Sequence, residues 1–151
     1  MRLVVQRVRH ASVVVGDREV GSIGAGLLVL AGTTYGDSET DVRLLAEKLV
    51  NLRVFPDADG KMNRSLLDTG GQVLLVSQFT LYGSVRRGNR PSFTGAGDPV
   101  EAARLLDRLE TEIKDRGVRV AGGEFGASME VSLLNDGPVT LILESVLGKL
   151  R

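Results

Sequence analysis

The sequence predicts an α+β fold: a strongly curved, mixed, barrel-like β-sheet with two main helices packed on it, in a single domain spanning residues 1–151. Three observations point there. The N-terminal stretch is rich in valine and reads as strand. Two mainly apolar stretches, the continuous run "LLVLAGT" (Leu27–Thr33) and "QVLLVSQFTL" (Gln72–Leu81), have the character of buried strands. Two further segments place apolar residues at helical spacing.

Leu3–Val15 predicts one bent strand or two short ones, and Gly16–Glu19 a turn. Val20–Ile23 predicts a short strand that Gly24-Ala25-Gly26 breaks before the first buried run. Asp37–Leu52 predicts a helix. Ser38 followed by Asp41 has the form of an N-cap with an acidic first turn, and Val42, Leu45, Leu49 and Leu52 fall on one face. Val54-Phe55 starts a short strand that turns at "PDADGK". The second buried run follows and changes character at Ser77-Gln78. Tyr82–Pro99 is an eighteen-residue polar loop, a length that in a small domain marks function or disorder. Asp98 as N-cap, Pro99 at the first helical position and Glu101 open the second helix. Its buried stripe is Ala102, Leu105 or Leu106, Leu109 and Ile113, and Gly117 ends it. Val118–Ala121, Met129–Leu134 and Val139–Leu143 are the closing strands.

The composition excludes several kinds of chemistry. Lys+Arg and Asp+Glu are 19 each, so bulk positive charge does not hold a nucleic acid, though a local basic groove remains open. With no cysteine there is no disulfide, thiolate nucleophile or Cys-based metal site, and His10 is the only imidazole. No metal and no cofactor is expected. No apolar run reaches the ~20 residues of a membrane helix, and the N-terminus lacks a secretory apolar segment, so a cytoplasmic protein that avoids the membrane is expected. The phosphate-loop, dinucleotide and nucleophile-elbow patterns are absent.

Three stretches carry possible chemistry. "SQFTLYG" (Ser77–Gly83) places polar residues at the C-terminal end of a buried strand, where ligands meet a rigid sheet, although a strand entering a loop also turns polar. Amides and hydroxyls there can hold a carbonyl oxygen. Ser77 or Thr80 as nucleophile would need His10 as base. "RRGNRPSF" puts Arg86, Arg87 and Arg90 within five residues, either a solvated loop or a set of phosphate contacts, to which Arg2, Arg7 and Arg9 could add. "LLNDGPVTLIL" (Leu133–Leu143) looks like a hairpin on Asp136-Gly137, but Pro138 lacks the N–H that closes such a turn. Either a longer loop replaces it, or Gly137-Pro138 is cis.

These stretches resemble the D-aminoacyl-tRNA deacylase family. "VVQRV" (Val4–Val8), "SQFTLYG", "RPSF" (Arg90–Phe93) and "FGA.M.V.L.NDGPVT" (Phe125–Thr140) carry the likeness along nearly the whole chain. The resemblance implies an enzyme that hydrolyses the ester of D-aminoacyl-tRNA, spares the L ester, and also takes glycyl-tRNA mischarged on alanine tRNA. It implies a homodimer in which Gly137 and Pro138, joined by a cis bond, enter the partner's active site as a chirality filter. It further implies that Ser77, Gln78, Phe79 and Thr80 line the ester pocket and that Arg7 holds the inserted motif. Phe125 and Met129 would receive the terminal adenosine, and the tRNA 2′-hydroxyl would assist catalysis. Two other readings stand beside it: a tRNA acceptor-end binding module without catalysis, and an esterase with Ser77 or Thr80 as nucleophile.

Overall fold

The computed structural model describes residues 1–151, and its architecture follows from one long strand. β1 (Arg2–Val15) alternates inward and outward residues and serves two partners in turn on one edge. Arg2–Val8 pairs antiparallel with β3 (Gly26–Gly32), and Ala11–Val15 pairs antiparallel with β2 (Arg18–Ile23). The other edge of β1 pairs with β8 (Glu130–Val146). Beyond β3 the ladder is parallel: β6 (Gln72–Ser77), then β7 (Val120–Gly122). The order β7-β6-β3-β1-β8-β9, with β9 at Lys149–Leu150 and β2 branching from β1, makes a seven-stranded mixed sheet.

The curvature is as expected, but the barrel is not: the sheet is open. β2 hydrogen-bonds only to β1, and the three-residue β7 ends the other side without a ladder to it. The two still touch. A Cβ at Gly21 of β2 would fall 2.3 Å from the Gly122 carbonyl oxygen, so glycine permits a close approach there without strand pairing.

The curl produces two cores. On one face Leu3, Val5, Leu27, Val29, Val73 and Leu75 pack against α1 (Glu39–Asn51) and the later helix at Pro99–Asp115. On the other, Leu28, Leu74 and Val76 are covered by Val8, Ala11, Val13 and Ile23, because β2 and the second half of β1 fold over the back of β3 and β6. That is why both central strands read as continuous apolar runs. Of the expected α1 stripe, Val42, Leu45 and Leu49 are fully buried, while Leu52, at the C-cap, is only partly so. The Ser38 N–H donates to Asp41 Oδ2 at 3.0 Å to cap the helix.

Between the helices, β4 (Phe55–Pro56) and β5 (Met62–Arg64) form a small ribbon across the "PDADGK" loop. α2 (Leu66–Thr69) has no counterpart in the sequence reading, since four residues are too few to show a period. α3 (Pro99–Asp115) is capped as expected, with Asp98 Oδ1 accepting from Val100 N and Glu101 N at 3.0 and 3.1 Å. Leu105 and Leu106 are both buried. The second apolar run stops at Ser77 rather than Leu81. Gln78 makes its last ladder bond to Ala31 O at 2.8 Å, and Phe79–Tyr82 wind into one 3₁₀ turn.

Candidate active site

β3 and β6 run parallel and end side by side, with Ala31 opposite Ser77. Beyond those ends a cavity of about 580 Å³ opens between the start of α3 and the Phe125–Val131 segment. Ala31, Gly32 and Thr33 come from the end of the first strand, and Val76, Ser77, Gln78 and Phe79 from the end of the second. Pro99, Ala102 and Leu106 come from α3, and Phe125, Met129 and Val131 close the far side. At the mouth, Phe79 and Phe93 meet edge to face, their centroids 5.2 Å apart and planes at 72°. This contact pins the end of the arginine loop to the cavity, and the Ser84–Ser92 bridge gathers the loop's base. Arg86, Arg87 and Arg90 are all exposed on it.

No residue on the cavity wall is titratable. Its polar side chains are Thr33, Ser77 and Gln78 alone. Ser77, Gln78 and Phe79 lie on this wall, while Thr80 lies off it and accepts a hydrogen bond from Gln78 Nε2. His10 is exposed on β1, paired in register with Leu134, and reaches neither Ser77 nor Thr80. Phe125 and Met129 line the same cavity. Phe93, Thr33 and Ala102 were not anticipated as site residues. Thr33 could have been found by the logic that found Ser77, since each follows a buried apolar run.

The Asp-Gly-Pro stretch is neither a hairpin nor part of this wall. β8 is one strand in place of the two expected, and β1 pairs with it on both sides of the motif. Gln6 opposes Thr140 and Val8 opposes Asn135, so Arg7 alone faces the four residues Asp136–Val139, which bulge outward. The Gly137-Pro138 bond is cis, and both residues are exposed. Asn135 Oδ1 accepts from Val139 N at 2.8 Å, and Asn135 Nδ2 donates to Val139 O at 3.1 Å. Arg7 Nε donates to Asp136 O at 2.7 Å, and Arg7 Nη1 donates to Val54 O at 2.5 Å. Val139 is also why residue 137 is glycine: a Cβ there would fall 2.6 Å from Val139 N.

The model of a family described as D-Tyr-tRNA(Tyr) deacylase matches residues 4–144. A D-aminoacyl-tRNA deacylase of Roseiflexus sp. (strain RS-1) is 58% identical over 147 residues, 97% of this chain and 95% of its own. A protein of the same name from Thermus aquaticus is 57% identical over 145 residues, 96% of this chain and 95% of its own. Among solved structures, one titled c-Myc DNA unwinding element binding protein superposes with a TM-score of 0.90 at 39% identity, covering 97% of this chain and 99% of its own. A probable eukaryotic D-amino acid tRNA deacylase shares the fold, with a TM-score of 0.81 at 20% identity over 93% of this chain and 97% of its own.

Proposed function

The chain belongs to the D-Tyr-tRNA(Tyr) deacylase family, and from that premise we propose that it hydrolyses the ester joining a D-amino acid to the terminal ribose of tRNA. The observation that carries the chemistry is a largely apolar cavity without one acid or base on its wall. In the reaction, water adds to the ester carbonyl carbon. The bond to the ribose 3′-oxygen then breaks, and that oxygen leaves with a proton as the acid and the tRNA separate. With no side-chain base in the cavity, the proton moves through water and the neighbouring 2′-hydroxyl of the tRNA itself. The protein's part is to hold the ester and stabilise the oxyanion. The Phe79 amide precedes the first bond of its turn, Leu81 N to Gln78 O, and with the Ser77 hydroxyl on the same wall it is the donor we assign to that task.

The Gly137–Pro138 backbone acts as the chirality filter, admitting a D side chain and colliding with an L one. Glycine has no side chain to reject, so glycyl-tRNA mischarged on alanine tRNA is a second substrate. Both filter residues are exposed and absent from the wall of their own cavity. They therefore act in a second copy, and the working unit is a homodimer. The outer strand supports this: Leu134 and Ile142, which flank the bulge on β8, are 48% and 65% exposed. Arg86, Arg87 and Arg90, exposed on the loop that ends at Phe93 on the cavity wall, contact acceptor-end phosphates. The reaction belongs in the cytoplasm, where tRNA is charged; no helix here is long and apolar enough to cross a membrane.

The test is a paired deacylation assay on tRNA charged with D-tyrosine or L-tyrosine. The D ester should disappear and the L ester survive. Loss of both would make the protein an unselective esterase and return attention to Ser77 and Thr80. Survival of both would leave a module that binds the acceptor end without turning it over.

A further inference from the structure

Thr33 stands apart from the other polar residues of the cavity. It follows β3 directly and is 4% exposed. Its carbonyl oxygen accepts from Gly97 N at 3.0 Å, which ties the approach to α3 to the end of the strand. Its hydroxyl has no hydrogen-bond partner within the chain. The buried side-chain atoms sealed off without a partner are Tyr82 Oη and Arg108 Nε, so Thr33 Oγ1 is not sealed, and its small exposure faces the cavity that the residue lines. Gly97 keeps it uncovered, because a Cβ at that position would sit 2.8 Å from Thr33 Oγ1. A hydroxyl held in an apolar wall, left unpaired and kept open by a glycine, is built to meet a polar group of the ligand.

The surroundings identify that group. Ala102 and Leu106 of α3, with Phe125 across from them, give the cavity a largely apolar lining suited to an aromatic ring. A hydroxyl both donates and accepts, and adenine presents a donor, its 6-amino group, beside ring-nitrogen acceptors on the same edge. We propose that Thr33 Oγ1 hydrogen-bonds the edge of the terminal adenine of the substrate, making Thr33 a base-reading residue of the site. The assignment rests on the acceptor-end substrate proposed above.

The probe is an amide-linked D-tyrosyl-adenosine, which binds but cannot be hydrolysed, compared by calorimetry with its purine-riboside counterpart lacking the 6-amino group. The wild-type protein should bind the adenosine compound about fivefold to tenfold more tightly, the size of one neutral hydrogen bond. Thr33→Val, which keeps the shape and removes the hydroxyl, should bind both compounds alike, and Thr33→Ser should restore the preference. A Thr33→Val protein that keeps the wild-type ratio overturns the assignment, and so does a wild-type protein that binds neither compound. Hydrolysis of D-tyrosyl-tRNA is followed in parallel. Its absence strikes the proposed activity, while a hydroxyl-dependent binding ratio still supports Thr33 as the reader of the base.

Discussion

Asn135 and Val139 bond to each other twice, side chain to backbone, with Val139 N donating at 2.8 Å and Asn135 Nδ2 donating to Val139 O at 3.1 Å. The pair does the work that a hairpin turn assigns to the residue after glycine, which here is Pro138 and has no N–H. The bulge is closed one residue later by a side chain. Asn135→Ala removes both bonds and leaves a half-buried amide and carbonyl without partners. We expect a loss of about 1–3 kcal/mol in stability by urea melting, the cost of unsatisfied groups of this kind. We also expect a fall in kcat/KM on D-tyrosyl-tRNA larger than the stability loss explains under native conditions.

Arg7 binds the bulge from the other side, and its planar guanidinium reaches Asp136 O and Val54 O together. A lysine carries one point donor group and cannot span both carbonyls in the same way. Arg7→Lys should therefore behave nearly as Arg7→Ala, with each losing at least about tenfold in kcat/KM on the D ester, the scale of one charge-assisted hydrogen bond. Equal activity of Arg7→Lys and wild type would show that charge near Asp136, rather than the paired geometry, is what the site needs.

The elements predicted best are those whose own residues announce them. Leu27–Thr33 and the first part of Gln72–Leu81 are apolar without a break because the curled sheet covers both their faces, and α1 and α3 carry full caps and stripes. What escaped depends on partners distant in sequence. Asp136-Gly137 has the local chemistry of a hairpin, yet β1 pairs on both sides of it and turns the motif into a bulge. Ser77–Phe79 was legible as a polar strand end. Thr33, Phe93 and Ala102 join it only because β3, the arginine loop and α3 converge there. Asn135 lay inside a recognised motif, but its bond to Val139 exists only once the bulge forms.

Asp41 should govern the acid stability of the fold. Its carboxylate is buried, which opposes its charge, but hydrogen bonds outweigh that burial and hold its pKa below the ordinary carboxylate value. Asp41 Oδ1 accepts from Ser145 Oγ at 2.6 Å and Gly148 N at 2.8 Å, and Oδ2 from Ser38 N at 3.0 Å. A depressed folded-state pKa contributes stability that is fully present above the unfolded value of 3.8 and is lost as pH falls through the lower folded one. Tm measured from pH 5 downward should fall below about pH 4, and Asp41→Asn should flatten that fall while lowering Tm at neutral pH. An unchanged acid limb in Asp41→Asn would assign the transition to other carboxylates.

The arginine loop predicts a salt signature. Arg86, Arg87 and Arg90 are exposed and hydrogen-bond nothing in the chain, so replacing them should leave Tm unchanged. If each meets a phosphate, each Arg→Ala should reduce the slope of log K against log salt by about one in tRNA binding, with D/L discrimination unaffected. A slope identical to wild type in the triple variant would remove the loop from the interface.

Ser77 and Thr80 separate an RNA-assisted hydrolysis from a side-chain nucleophile. A serine or threonine nucleophile needs a base within hydrogen-bond reach, and removing such a nucleophile costs several orders of magnitude. Here the one histidine is exposed on β1, the cavity wall holds no titratable group, and Thr80 is engaged by Gln78 off that wall. Ser77→Ala and Thr80→Ala should each lower kcat on D-tyrosyl-tRNA by less than about a thousandfold, the upper end of the range for losing one positioning donor. Replacing the terminal 2′-hydroxyl of the tRNA with hydrogen should cost more than either. A drop of several orders of magnitude in one variant, with analogue binding intact, would instead establish that residue as the nucleophile, and a burst of free tRNA ahead of amino-acid release would then accompany the wild-type reaction.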